Sequence, residues 1–290
     1  MTSHARLNIS AGLASVSVAL ILVGAKLWAF EQTSALSIAT SLVDSALDLA
    51  MALGGLWAIY YAARPPDDDH TFGHTSAEDL VALSQSVLIL LSSAFITTTA
   101  LRRLFVSPAP RIQSESIGLG VMVFSIVLTL GLVLWQGKVA RRTGSKVVAA
   151  DSLHYIGDLI PNIGAILALL AARFWDWHSV DSIVALGAAA YLAYGAHKIG
   201  RSAWDALMDR SAPQDMISGI EALAMVEPGI DGFHDLKTRT AGSMVFVHLH
   251  IELDGDLPLR QAHDIGKSLK AKILQAYPNT DVIIHKDVSQ

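Results

Sequence analysis

Residues 41–63 read SLVDSALDLAMALGGLWAIYYAA, an apolar run long enough to cross a bilayer that carries Asp44 and Asp48 four residues apart. No charge follows Asp48 until Arg64. A carboxylate inside hydrocarbon costs several kcal/mol, so an acidic residue within such a run points to function before it points to structure. At a spacing of four, both side chains lie on one helix face about a turn apart.

The rest of the chain makes a membrane reading of that stretch the natural one. Of 290 residues, 52% are hydrophobic and 16% charged, against about 25% charged in an ordinary soluble domain. Runs of about 20 apolar residues recur at 8–30, 36–61, 80–101, 116–137, 147–172 and 179–199. Six transmembrane helices are expected, within a domain spanning residues 1–210. The first run is too long for the apolar core of a secretory signal and ends without a small-residue cleavage site, so it is read as a span that stays. With no cysteine in the chain, disulfides and thiolate metal sites are excluded. The net charge of −5 is not informative about nucleic acid, and no nucleic-acid partner is expected.

Positive residues between the spans set the orientation. Arg6, Arg64, Lys138, Arg141, Arg142, Lys146, Lys198, Arg201 and Arg210 collect on the side of the N-terminus, against Arg102, Arg103, Arg111 and Arg173 on the other. Both termini are therefore expected in the cytoplasm, with the chain multi-pass in the inner (plasma) membrane.

From about Pro213 the composition becomes that of a soluble domain. A helix starts at Pro213 and stops at Pro228-Gly229; MVFVHLHIEL (244–253) alternates with period two; LPLRQAHDIGKSLKAKILQAY (257–277) is amphipathic; TDVIIHKDV (280–288) is a short strand. With GFHDLKTRT as a first strand, the order αββαβ predicts a two-layer α+β, ferredoxin-like cytoplasmic domain over 211–290.

A second polar pair answers the first. His154 and Asp158 in the fifth span are again four apart. Two helices that face each other with Asp/Asp and His/Asp supply three carboxylates and one imidazole, a tetrahedral set suited to zinc and acceptable to Fe(II), Mn(II) or Cd(II). Asp151, one turn before His154, has two readings: a charge at the helix start, or a relay at the cytoplasmic mouth. An intramembrane aspartyl protease would also use two membrane carboxylates, but it needs Tyr before one Asp and Gly-x-Gly before the other. Val43 and Tyr155 stand there instead.

Taken together, SLVDSALDLA (41–50), PPDDDHTFGHTSAEDLVALSQS (65–86), ADSLHYIGDL (150–159), LMDR (207–210), HDLKTR (234–239) and DVIIHKD (281–287) resemble the cation diffusion facilitator family, specifically its bacterial zinc and ferrous-iron efflux branch, over essentially the whole length. The resemblance implies a homodimer of six-helix subunits in the lipid bilayer, exchanging a divalent metal ion for protons by alternating access: a secondary transporter, not an enzyme. It places the transport site at Asp44, Asp48, His154 and Asp158, the four residues that spacing had singled out. It also implies loop ligands at Asp67, His70 and His74, and cytoplasmic zinc ligands at His234, His250, His263, His285 and Asp287, with Asp287 able to bridge two ions. Zinc is thus expected as cargo and as a structural or regulatory ligand, with Fe(II) or Cd(II) as further cargo. Ser76 stands where relatives often carry a lysine that pairs with the counterpart of Asp209. Lys286 brings a positive charge into the sequence between His285 and Asp287. The alternative from another class is a membrane-anchored metal sensor that binds cations without moving them.

Overall fold

The structure is a computed structural model describing residues 3–33, 36–105, 116–175 and 180–289. It divides into two compact units, Met1–Trp204 and Asp205–Gln290. Arg111 and the start of the sixth expected span at 179 lie outside the described residues.

The N-terminal unit is helical. Its helices are α1 (Ser3–Thr33), α2 (Leu36–Ala62), α3 (Ser76–Phe105), α4 (Ser116–Thr143), α5 (Lys146–Trp175) and α6 (Val180–Leu207, which runs on into the second unit). At 1.5 Å per residue, the 30 residues of α3 extend about 45 Å, enough to cross a bilayer with its headgroups. Four stretches are apolar and long enough to span: His4–Gln32, Ser41–Ala62, Ser76–Arg102 and Val123–Thr143. The other two helices are of matching length, 30 and 28 residues.

Leu153 of α5 reaches α6 at a glycine. A Cβ on Gly195 would fall 2.8 Å from Leu153 Cδ2, so the leucine occupies the space that the glycine leaves. Leu153 is buried there with Ile89, Leu192 and Ala196. The start of α5 is pinned. Gly144 turns the chain at φ 73°, a left-handed conformation that glycine adopts without strain. Ser145 Oγ then accepts from the Val148 N–H at 3.4 Å and donates to Glu78 Oε2 at 3.2 Å. Lys146 Nζ donates to Asp79 Oδ1 at 2.6 Å. These links tie the first turn of α5 to the first turn of α3, which orients the helix carrying His154.

The C-terminal unit contains α7 (Gln214–Met225), β1 (Gly232–Ala241), β2 (Met244–Leu253), α8 (Leu259–Ala276) and β3 (Thr280–Val288). This is the expected αββαβ order. β2 is the central strand, antiparallel to β1 and parallel to β3. The parallel pair requires a crossover, which α8 supplies. Val247, Leu249, Ile251 and Leu253 alternate along β2 and are buried together with Leu269 and Ile273 of α8 and Ile220 of α7. The helices thus cover one sheet face, and the chemistry sits on the other.

Candidate metal centres

Three groups of potential ligands assemble among the described residues: Asp48 with His154 and Asp158, Asp67 with His70 and His74, and His234 with His250 and Asp287. Within each group, the ligand atoms lie within 4.8 Å of one another.

The first group joins α2 to α5. His154 Nε2 is 2.9 Å from Asp48 Oδ1 and 3.9 Å from Asp158 Oδ2. His154 and Asp48 are mostly enclosed, while the Asp158 side chain is 45% exposed, which leaves one open side to the group. Asp44, one turn before Asp48, is exposed and outside the group. Asp151 is not a solvated charge at the helix start. It is buried, and Gln136 Nε2 of α4 donates to its Oδ2 at 2.5 Å.

The second group lies in the loop between α2 and α3. Asp67 Oδ1 accepts from the His70 backbone N–H at 2.7 Å, and this bond, with the two imidazoles nearby, holds the carboxyl below the usual carboxylate range. His74 is buried and sits edge-on to Tyr61 at 4.6 Å. Its Nε2 is 3.1 Å from Asp67 Oδ2 without hydrogen-bond alignment, and neither ring nitrogen has a hydrogen-bond partner. A buried imidazole without such a partner is what a metal ligand looks like when only protein atoms are counted.

The third group is a row across the sheet. His234, His250 and His285 are cross-strand partners, with ring centroids 5.2 Å and 4.6 Å apart. Asp287 stands beside them. Its Oδ2 is 2.8 Å from His250 Nδ1 and 3.4 Å from His234 Nε2, while its Oδ1 is 3.2 Å from His285 Nε2. One carboxylate therefore presents its two oxygens to different histidines. The His250 hydrogen bond, with the other imidazoles adding to it, holds Asp287 below its ordinary range. A group depressed in this way stabilises the fold above its unfolded pKa, and that contribution fades only as pH falls through the lower folded value.

His263, expected as a ligand, is exposed on α8 and outside the cluster. Lys286, between His285 and Asp287 in sequence, does not share their face. Alternation along β3 sends its side chain to the helix-covered face, where a Cβ on Gly266 of α8 would meet Lys286 Cε at 2.8 Å. Asp209, at φ 57°, accepts from Arg239 Nη1 at 3.1 Å within its own unit.

Sequence reasoning missed the role of Glu252. Its Oε1 lies 2.9 Å from His234 Nδ1, so it accepts that proton and leaves Nε2 free to face Asp287. Gly232 is its cross-strand partner, and a Cβ there would strike Glu252 Oε2 at 2.6 Å. The signal was available, since Glu252 shares the β2 face of His250. Partners of this kind fix the tautomer of a metal ligand. Glu252→Gln is expected to weaken zinc binding at this cluster by about 10–100-fold, read by calorimetry, without unfolding the unit.

Comparison with known proteins follows the same division. Residues 12–208 match the family described as "Cation efflux transmembrane domain", and residues 212–288 match "Cation efflux protein, cytoplasmic domain". The chain is 40% identical over 287 residues to the "Cation-efflux pump FieF" of Klebsiella pneumoniae, covering 99% of this chain and 95% of that protein. It is likewise 40% identical over 285 residues to the protein of that name from Escherichia fergusonii, covering 98% and 94%. Among solved structures, the "Metal-bound C-terminal domain of CzcD transporter from Thermotoga maritima" matches at 27% identity and a TM-score of 0.25, covering 26% of this chain and 87% of that one.

Proposed function

The chain belongs to the cation efflux (cation diffusion facilitator) family, and we propose on that premise that it exports a divalent metal cation through its helical unit, binding it between α2 and α5. It is a membrane transporter and not an enzyme. The observation that carries the reading is the convergence of Asp48, His154 and Asp158 from two separate helices onto a space less than 4.8 Å wide. Ionisable groups between membrane helices are costly to place there, so three of them meeting from two helices support a functional reading.

Zinc is the cargo that this donor set favours. It combines one borderline nitrogen with hard oxygens, and the open side leaves room for a further ligand, with Asp44 the nearest candidate one turn away. Fe(II) and Cd(II) are chemically compatible. Protons exchange for the metal, because the same groups must lose protons to bind it. The loop cluster at Asp67, His70 and His74 and the sheet cluster at His234, His250, His285 and Asp287 bind the same class of ion in structural or regulatory roles. The chain functions as a homodimer joined through its C-terminal units, in the inner membrane with both termini cytoplasmic. The excess of Lys and Arg on that side supports the orientation.

The test uses protein in sealed vesicles with an imposed pH gradient. Zinc moving uphill as protons move down supports antiport. Binding without movement supports the sensor.

Selectivity should follow the imidazole. His154→Asp makes the site all-oxygen and harder, so zinc should lose ground to manganese in competition for transport, by about tenfold or more. Unchanged competition would remove His154 from the ligand set.

A further inference from the structure

Lys26 is a positive charge in the midst of an apolar helix. It lies in α1 within the stretch His4–Gln32 that is long and apolar enough to span. A lysine in such a place ordinarily extends its stem toward the nearer membrane surface and keeps its ammonium in water. Here the ammonium is held by the neighbouring helix instead. Its Nζ donates to Ser45 Oγ at 2.6 Å and to the Ser41 carbonyl at 3.2 Å.

Those two partners share a face with the transport ligands. Ser41, Ser45 and Asp48 fall at i, i+4 and i+7 of α2, and Asp44 adjoins Ser45. Three residues of helix separate Ser45 from Asp48, roughly 4.5 Å along the axis. Asp48, Asp158 and Asp44 all act electrostatically on the ammonium. A positive charge is therefore anchored on α2 within about a turn of Asp48.

We propose that Lys26 is a tethered counter-cation of the transport site, one that stabilises the metal-free carboxylates and opposes the bound divalent cation, so that affinity is held down and release is quickened. This rests on the assignment of Asp48, His154 and Asp158 as the transport site. The physical logic is simple. An empty site of two carboxylates and an imidazole, with no further positive charge beside it, would draw in protons, whereas one with a fixed ammonium nearby keeps more of its negative charge. When the metal arrives, the same ammonium repels it.

The consequence runs against the usual effect of mutating a polar residue in a membrane. Lys26→Gln and Lys26→Met should bind zinc more tightly, by about tenfold or more. They should also release more protons per zinc bound and turn over more slowly at saturating zinc in sealed vesicles. Lys26→Arg, which keeps the charge, should stay near the wild type in all three. Met has nearly the length of lysine and leaves no buried donor unpaired, so it reads the same loss of charge if the Gln variant does not fold.

The measurement is zinc calorimetry on the full chain, with the membrane component defined as the binding that Asp48→Ala removes. If Asp48→Ala removes nothing, the assignment of the site itself fails. If it removes a component and the neutral Lys26 variants bind that component no more tightly than wild type, the site stands and the role of Lys26 is overturned.

Discussion

Asp48→Ala, His154→Ala and Asp158→Ala are each expected to abolish zinc movement in sealed vesicles while leaving a folded chain. Partners that merely orient a ligand are worth about 10–100-fold in metal affinity, so deleting a ligand should cost more than about 100-fold. Lipid cannot replace a lost carboxylate or imidazole. The fold should survive, because none of the three belongs to the buried apolar clusters of the helical unit. Asp44→Ala should weaken binding less than the other three, since its exposed carboxylate stands outside their group. Uptake near the wild-type rate in the Asp48, His154 and Asp158 variants would remove the transport assignment.

Acidification should empty the site. Metal binds the deprotonated ligands, so each proton that must leave adds one unit of slope to the pH dependence, and binding weakens as pH falls. One competing proton is worth up to about tenfold per pH unit, so up to about thirtyfold between pH 7 and 5.5. Each further proton that the metal displaces steepens that loss. Calorimetry in buffers of different ionisation enthalpy counts the protons directly, on a chain truncated before Pro213 with His70→Ala and His74→Ala to silence the other clusters. Zinc binding at pH 7 without proton release, together with transport indifferent to a pH gradient, would rule out exchange and favour the sensor.

The sheet cluster should respond to acid through its histidines. Asp287 is held below its ordinary range by His250 and so stays ionised across the interval in which imidazoles take up protons. Loss of zinc from the C-terminal unit should therefore follow the histidine range and not the carboxylate range.

How much of this was legible in the chain differs from element to element. The helical runs could be read because a span must satisfy its backbone internally and present apolar side chains over about 20 residues, a requirement local to each segment. The αββαβ order could be read for a similar reason, since period-two alternation in 244–253 and the apolar stripe of 257–277 record which face of each element is buried. Spacing also put Asp48 with Asp44, and His154 with Asp158, on shared faces. Which members meet across the gap was not in the spacing. It depends on the height and rotation of α2 against α5, and α5 is held by its links from Ser145 and Lys146 to α3. The result gathers Asp48, His154 and Asp158 and leaves Asp44 outside.

The sheet cluster shows the same boundary between local and long-range information. Strict alternation along β1 would put His234 on the face opposite Lys237 and Arg239. A one-residue irregularity between His234 and Lys237, with Asp235 at φ 51°, shifts the register so that His234 pairs with His250 and Lys237 with His248, all on one face. Nothing in HDLKTR announces that bulge. The sequence by itself determined the elements, the polar residues they carry and the face of each helix or strand on which those residues lie, because helix and strand periods are properties of the backbone. The tertiary structure alone decided that Glu252 orients His234 and that Lys26 reaches α2 beside Ser45. Each of these is a contact between segments far apart in the chain, and its distance is set by packing and not by spacing.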